Sequence, residues 1–139
     1  MAINLKVGVK ILLKNKENKY LLLKRSSDKY ADVRDNWDIV GGRIEAGFSL
    51  SENLKREIKE ETQLDFKGQT KLIGAQDIIK LGMHVVRLTY IGEIEGEPVI
   101  SQEHTAYKWL TLDEMRRMKN LDSYLRQLIE SGVSYETHQ

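Results

Sequence analysis

The 139-residue chain contains no cysteine. Disulfides, thiol nucleophiles and thiolate zinc sites are therefore excluded. Histidine is scarce: His84, His104 and His138 are the only three, and no pair stands at a short ligand spacing. This argues against an imidazole metal centre and leaves oxygen donors for any metal. Pro98 is the only proline, and no Gly/Ser-rich linker, repeat or low-complexity tract divides the chain, so one domain over residues 1–139 is expected. Charge of one sign is also missing, with 22 Lys and Arg against 21 Asp and Glu. Charge alone thus cannot hold a nucleic-acid polymer or a membrane surface. Apolar runs are far too short to span a bilayer, and the N-terminus lacks a basic segment followed by an apolar one. The expectation is a soluble cytoplasmic protein. What is present, 40% hydrophobic and 31% charged residues, is the balance of a globular chain.

Val7 to Leu13 and Tyr20 to Leu23 read as strands joined by the polar turn Asn15-Lys16-Glu17-Asn18, a hairpin signal. A polar stretch, Lys24 to Asn36, leads to a short strand, Trp37 to Val40, closed by Gly41-Gly42. Ser49 to Thr62 is the clearest helix, opened by Ser49 and Glu52 at capping-box spacing. Phe66 to Ile79 and Met83 to Glu93 read as strands, the second with half-buried alternation. Tyr107 to Leu110 is a last short strand. Thr111 and Glu114 repeat the capping-box spacing before a short helix, and Leu121 to Ile129 has an apolar helical face. Strands, helix, strands, helices is not a regular βαβ alternation. It points to an α/β chain with a mixed sheet flanked by helices.

The informative segment is Arg56-Glu57-Ile58-Lys59-Glu60-Glu61. An acidic run on a helix is ordinarily a solvated face. At about 100° per residue from Leu50, however, Leu54 falls near 40° and Ile58 near 80°, while Glu57 falls near −20° and Glu61 near 20°. Both carboxylates share the apolar stripe, and Glu60, at about −80°, borders it. Two inward carboxylates one turn apart either raise their pKa values or meet a cation. Three converging oxygen ligands suit Mg²⁺ or Mn²⁺, an ion that takes further oxygens from a phosphate-bearing ligand. Gly41-Gly42, just upstream, is a turn through which a backbone can approach phosphate closely.

These residues resemble the Nudix hydrolases, whose box reads G-x5-E-x7-R-E-U-x-E-E-x-G-U with U apolar. Gly42 opens the match, and Arg56-Glu57-Ile58-Lys59-Glu60-Glu61-Thr62 with Leu64 completes it over residues 42–64. Leu21-Leu22-Leu23-Lys24-Arg25, Trp37 and Glu45 stand in fitting flanks. The resemblance implies an α/β/α sandwich. It also implies metal-dependent hydrolysis of a nucleoside diphosphate linked to another group. Glu57, Glu60 and Glu61 would bind Mg²⁺ (or Mn²⁺), with the Gly41 carbonyl joining them, and Arg56 would orient Glu57. Glu103, just before Tyr107-Lys108-Trp109, is the candidate extra ligand or base. Three positions depart from the pattern: Phe48 replaces the first box Glu, Gln63 the last Gly, and Val40 the usual Pro before Gly-Gly. Gln63 removes the easy left-handed helix stop. Phe48 deprives Arg56 of a carboxylate, and Glu52, one turn back, is the expected substitute, with Glu45 and Glu60 as alternatives.

Arg25 and Arg34 bracket the long loop as candidate phosphate donors beside Gly42, with solvated loop charges the plain alternative. Tyr30 is a loop tyrosine. Trp37 and Trp109 read as core aromatics, His84 as a satisfied core histidine and His104 as a neighbour of the site. Phe48 is expected to pack over the helix start. The substrate expectation is a nucleoside triphosphate first and ADP-ribose or a nucleotide sugar second, with a homodimer left open. The rival reading is a nucleotide sensor without efficient catalysis, which rests on Phe48 alone.

Overall fold

The computed structural model describes residues 2–26 and 36–132. Tyr30, Arg34 and His138, singled out above, lie outside them. The described elements are strands β1 (Asn4–Lys14), β2 (Tyr20–Arg25), β3 (Trp37–Asp38) and β4 (Val40–Arg43), helix α1 (Leu50–Thr62), and strands β5 (Lys71–Lys80), β6 (Met83–Glu93) and β7 (His104–Leu110). Helices α2 (Leu112–Arg116) and α3 (Ser123–Glu130) complete them. The seven strands form one mixed sheet ordered β3-β2-β1-β6-β5, with β4 also on β1 and β7 also on β2. β1 and β6 run parallel from Asn4↔Met83 to Lys14↔Glu93.

Successive strand residues face opposite sides of a sheet, and β1 and β2 are apolar at both parities. Val9, Ile11, Leu13, Leu21 and Leu23 pack with Leu54 and Ile58 of α1. Leu12, Tyr20 and Leu22 pack with Met115, Leu121, Leu125 and Ile129 under α2 and α3. Helices on both faces explain why Ile11-Leu12-Leu13 and Tyr20 to Leu23 read as unbroken apolar runs. Leu54 and Ile58 are 1% and 0% exposed, each contributing about 1.5–3 kcal/mol by burial. No helix among the described residues is long and apolar enough to cross a membrane.

The expected hairpin closes only at its turn. Asn15 Oδ1 accepts the N–H groups of Glu17 and Lys19, both at 3.0 Å, but the one register pair between β1 and β2 is Lys14↔Tyr20. Beyond it the strands part, because β4 takes the free edge of β1 from Gly8 to Ile11. β2 meanwhile pairs with β3 and β7. The single strand expected over Trp37 to Val40 is likewise two. Trp37 and Asp38 pair with β2, and after Ile39 the chain moves to β1. That switch carries Gly41-Gly42 under α1.

Both capping boxes form, at Ser49 and at Thr111. Gln63 was expected to deny α1 its left-handed stop. Instead it adopts that conformation itself, with φ 62° and ψ 11°, and its N–H donates to Lys59 O. The strand expected from Phe66 begins only at Lys71. Phe66 is a core residue outside it. The last helix starts at Ser123, capped by Asp122, while Leu121 bridges to Trp37. His84 is not a core residue: it is half-exposed at the sheet margin, its Nε2 2.7 Å from Asp77 Oδ1. Trp37 is buried as expected.

Candidate active site

A cleft of about 560 Å³ opens where β4 passes under α1, and Gly41, Gly42, Glu57, Glu60, Glu61 and Glu103 all line it. Gly41 and Gly42 form its floor, and at Gly41 only glycine fits. At Gly41 φ is +148° and a Cβ would stand 2.0 Å from Val9 O. At Gly42 a Cβ would meet the Glu57 carboxylate at 2.8–2.9 Å. The helix angles place Glu57 and Glu61 over this floor, and Glu61 is 6% exposed. Its Oε1 accepts the Gly41 N–H at 3.4 Å. Burial pushes the Glu61 carboxyl up to about 9, with Glu57 adding to the effect and Lys10 and the Gly41 N–H opposing it. Glu60 lies at the rim, its side chain 55% exposed, with Oε1 3.6 Å from Arg56 Nε.

Arg56 does orient toward Glu57: Nη2 donates to Glu57 Oε2 at 2.8 Å and to Arg43 O at 3.2 Å. The substitute carboxylate is not Glu52, whose carboxylate caps the helix by accepting the Ser49 N–H at 2.9 Å. Glu45, at 3.7 Å from Nη1, and Glu60 flank the guanidinium instead. The closest partner of Nη1 is Asn53 Oδ1, at 2.6 Å. Phe48, expected over the helix start, is 54% exposed, and its backbone carbonyl serves Asn53.

Glu103 enters from the segment before β7, with Ser26 N–H donating to its carbonyl at 2.8 Å. His104 lines the cleft beside it. Burial, and then Lys10, holds its imidazole below the ordinary value. Arg25 also lines the cleft, but its Nη2 donates to Asp38 Oδ2 at 2.8 Å and to Asp122 Oδ1 at 3.0 Å. These bonds belong to a buried network that sequence reading missed. Arg87 reaches Asp38 at 3.1 Å and Asp122 at 3.2 Å, and Lys10 Nζ lies 3.1 Å from Asp38. Burial opposes charge on Asp38, yet Arg87, Lys10 and Arg25 hold it well below the usual carboxylate range. The available signals were Lys10 inside an apolar strand, Asp38 between Trp37 and Ile39, and Asn53 inside a helix that disfavours it.

Among the described residues no three carboxylate or histidine side chains are already drawn into a metal-ligating set. Two stand close together: Glu57 and Glu61 share one helix face above Gly41 and Gly42, near enough that Glu57 raises the Glu61 carboxyl. A divalent cation fits here, since it would supply the charge that the buried Glu61 carboxyl lacks beside Glu57. The Glu57, Glu60, Glu61 and Glu103 carboxyls that line it offer the oxygens that Mg²⁺ and Mn²⁺ prefer.

The NUDIX domain family matches residues 4–131. The 8-oxo-dGTP diphosphatase of Buchnera aphidicola is 30% identical over 117 residues, covering 81% of this chain and 80% of that protein. A MutT protein from Methanosarcina mazei superposes with a TM-score of 0.81 over 94% of both chains at 27% identity. The E. coli dihydroneopterin triphosphate pyrophosphohydrolase shares the fold at a TM-score of 0.71 and 22% identity, over 96% of this chain and 98% of that one. The box residues, the mixed sheet between helices and these likenesses together make the chain a MutT-like member of the Nudix hydrolase family.

Proposed function

We propose that this protein hydrolyses a phosphoanhydride bond in a nucleoside diphosphate linked to another group, using Mg²⁺ or Mn²⁺. The observation that carries the reading is the Glu57–Glu61 pair, with Glu61 buried, above the floor formed by Gly41 and Gly42. Glu57 and Glu61 would hold the ion, with Glu60 at the rim and the Gly41 carbonyl as further donors. An ion bound there would supply polarisation of the diphosphate and a lowered pKa for a bound water. Arg56 fixes the rotamer of Glu57 through its 2.8 Å bond. A Glu103 carboxylate oxygen accepts the proton of the attacking water. Gly42 leaves room for phosphate oxygens, and Arg25 acts at the cleft edge while sharing its guanidinium with Asp38 and Asp122. Arg34 is the second phosphate donor in this proposal.

A nucleoside triphosphate is the favoured substrate. The relative named 8-oxo-dGTP diphosphatase supports that class, with ADP-ribose or a nucleotide sugar second. The sensor reading rests on Phe48, and Arg56 has Asn53 and Glu57 as partners without a carboxylate at position 48, which supports the hydrolase reading over it. The test is release of phosphate and pyrophosphate from a nucleotide panel with Mg²⁺, with Mn²⁺ and with EDTA. Metal-dependent cleavage of one class is expected. Tight nucleotide binding without turnover under every metal condition would overturn the proposal.

A further inference from the structure

We infer that Asn53 is a positioning residue for the Arg56–Glu57 pair, supplying through its side-chain amide the acceptor that Phe48 cannot offer. The inference rests on the reading of Glu57 as a metal ligand. Asn53 is 0% exposed, and its amide is saturated. Oδ1 accepts Arg56 Nη1 at 2.6 Å and the Glu45 N–H at 2.8 Å. Nδ2 donates to Ser49 O at 2.8 Å and to Phe48 O at 3.1 Å. An amide offers two acceptor sites and two donors, and all four are used. The alternative amide orientation would set NH₂ against two other donors, so the network itself assigns Oδ1 to Arg56.

The contacts run in one direction through the site. The backbone of residues 45–49 holds Asn53, Asn53 holds Arg56 Nη1, and Arg56 Nη2 holds Glu57 Oε2 at 2.8 Å. Glu57 in turn lies against the space above Gly42. A loop tether alone would need the bonds to Glu45, Phe48 and Ser49 but not the short one to Arg56. Asparagine is disfavoured inside helices because its side chain competes for backbone groups. Here that tendency is turned to use. The Phe48 side chain, 54% exposed, is a bystander whose carbonyl alone takes part.

Removing an outer partner of a metal ligand typically costs about 10–100-fold in metal affinity or activity. Asn53→Ala is therefore expected to weaken Mn²⁺ binding, read by electron paramagnetic resonance or calorimetry, about tenfold or more. It should lower kcat similarly while leaving the nucleotide KM within about threefold. Asn53→Asp keeps the acceptor for Arg56 and gives up the donors, so its Mn²⁺ affinity should stay close to the wild-type value. It also covers the case in which Asn53→Ala fails to fold. Adding Phe48→Glu to Asn53→Ala should recover much of the lost affinity. Wild-type Mn²⁺ affinity and kcat in folded Asn53→Ala would reduce Asn53 to a loop tether. A loss in Asn53→Asp as large as in Asn53→Ala would place the function in the donors, and either result overturns the inference. A wild-type protein that binds no Mn²⁺ would remove the metal-site reading itself, and the inference with it.

Discussion

Glu61→Gln in metal-free protein offers a direct measure of the strain stored in the carboxylate pair. Burial beside Glu57 raises the Glu61 carboxyl from 4.5 to about 9. At about 1.36 kcal/mol per unit, that shift is worth several kcal/mol, a large share of the roughly 5–15 kcal/mol that holds a domain folded. Between pH 4.5 and about 9 the folded chain keeps a proton on Glu61 that the unfolded chain releases. Its stabilising share is thus complete below pH 4.5 and is lost as pH rises through 9. The assay is urea unfolding of EDTA-treated protein at pH 5, 7 and 9, with midpoints and slopes fitted together. Wild type and Glu61→Gln should be similar at pH 5, where both carry a neutral group. By pH 9 the variant should be more stable by a few kcal/mol. His104 is present in both proteins, so its contribution cancels and the difference reports Glu61 together with its interaction with Glu57. Millimolar Mg²⁺ at pH 9 should close much of the gap by stabilising wild type alone. Parallel stability–pH curves for the two proteins would refute the argument that Glu61 is a buried carboxyl held at a cost.

Gln63→Gly should raise stability by about 1 kcal/mol, because φ 62° costs a side-chain-bearing residue about 1–2 kcal/mol and glycine far less; a thermal midpoint a few degrees higher checks it. Gly42→Ala sets a Cβ 2.8 Å from Glu57 Oε1. It should cut kcat at least about tenfold by displacing that carboxylate, with unchanged circular dichroism. Asp38→Asn leaves Arg87, Arg25 and Lys10 around a neutral group, and should cost about 3–5 kcal/mol in chemical unfolding, as broken buried ion pairs do.

Local rules were enough to place much of this protein. Capping boxes at Ser49 and Thr111 depend on residues three apart, and both form as their spacing requires. The angle of Glu57 and Glu61 on α1 depends only on helix periodicity, and it leads straight to the glycine floor. Tertiary structure decided what depends on pairing across the chain. Whether β1 keeps β2 beside it turns on competition from β4 and β7, strands that the turn at Asn15 cannot anticipate. The partners of Arg56 turned on which side chains were already engaged, with Glu52 taken by the cap and Asn53 inside the fold. The network of Lys10, Arg25, Asp38, Arg87 and Asp122 joins groups up to 97 residues apart. Each looks like an isolated charge in the sequence. Only the assembled sheet, with α3 docked on its face, brings them within hydrogen-bonding distance and excludes the water that would otherwise weaken their attraction.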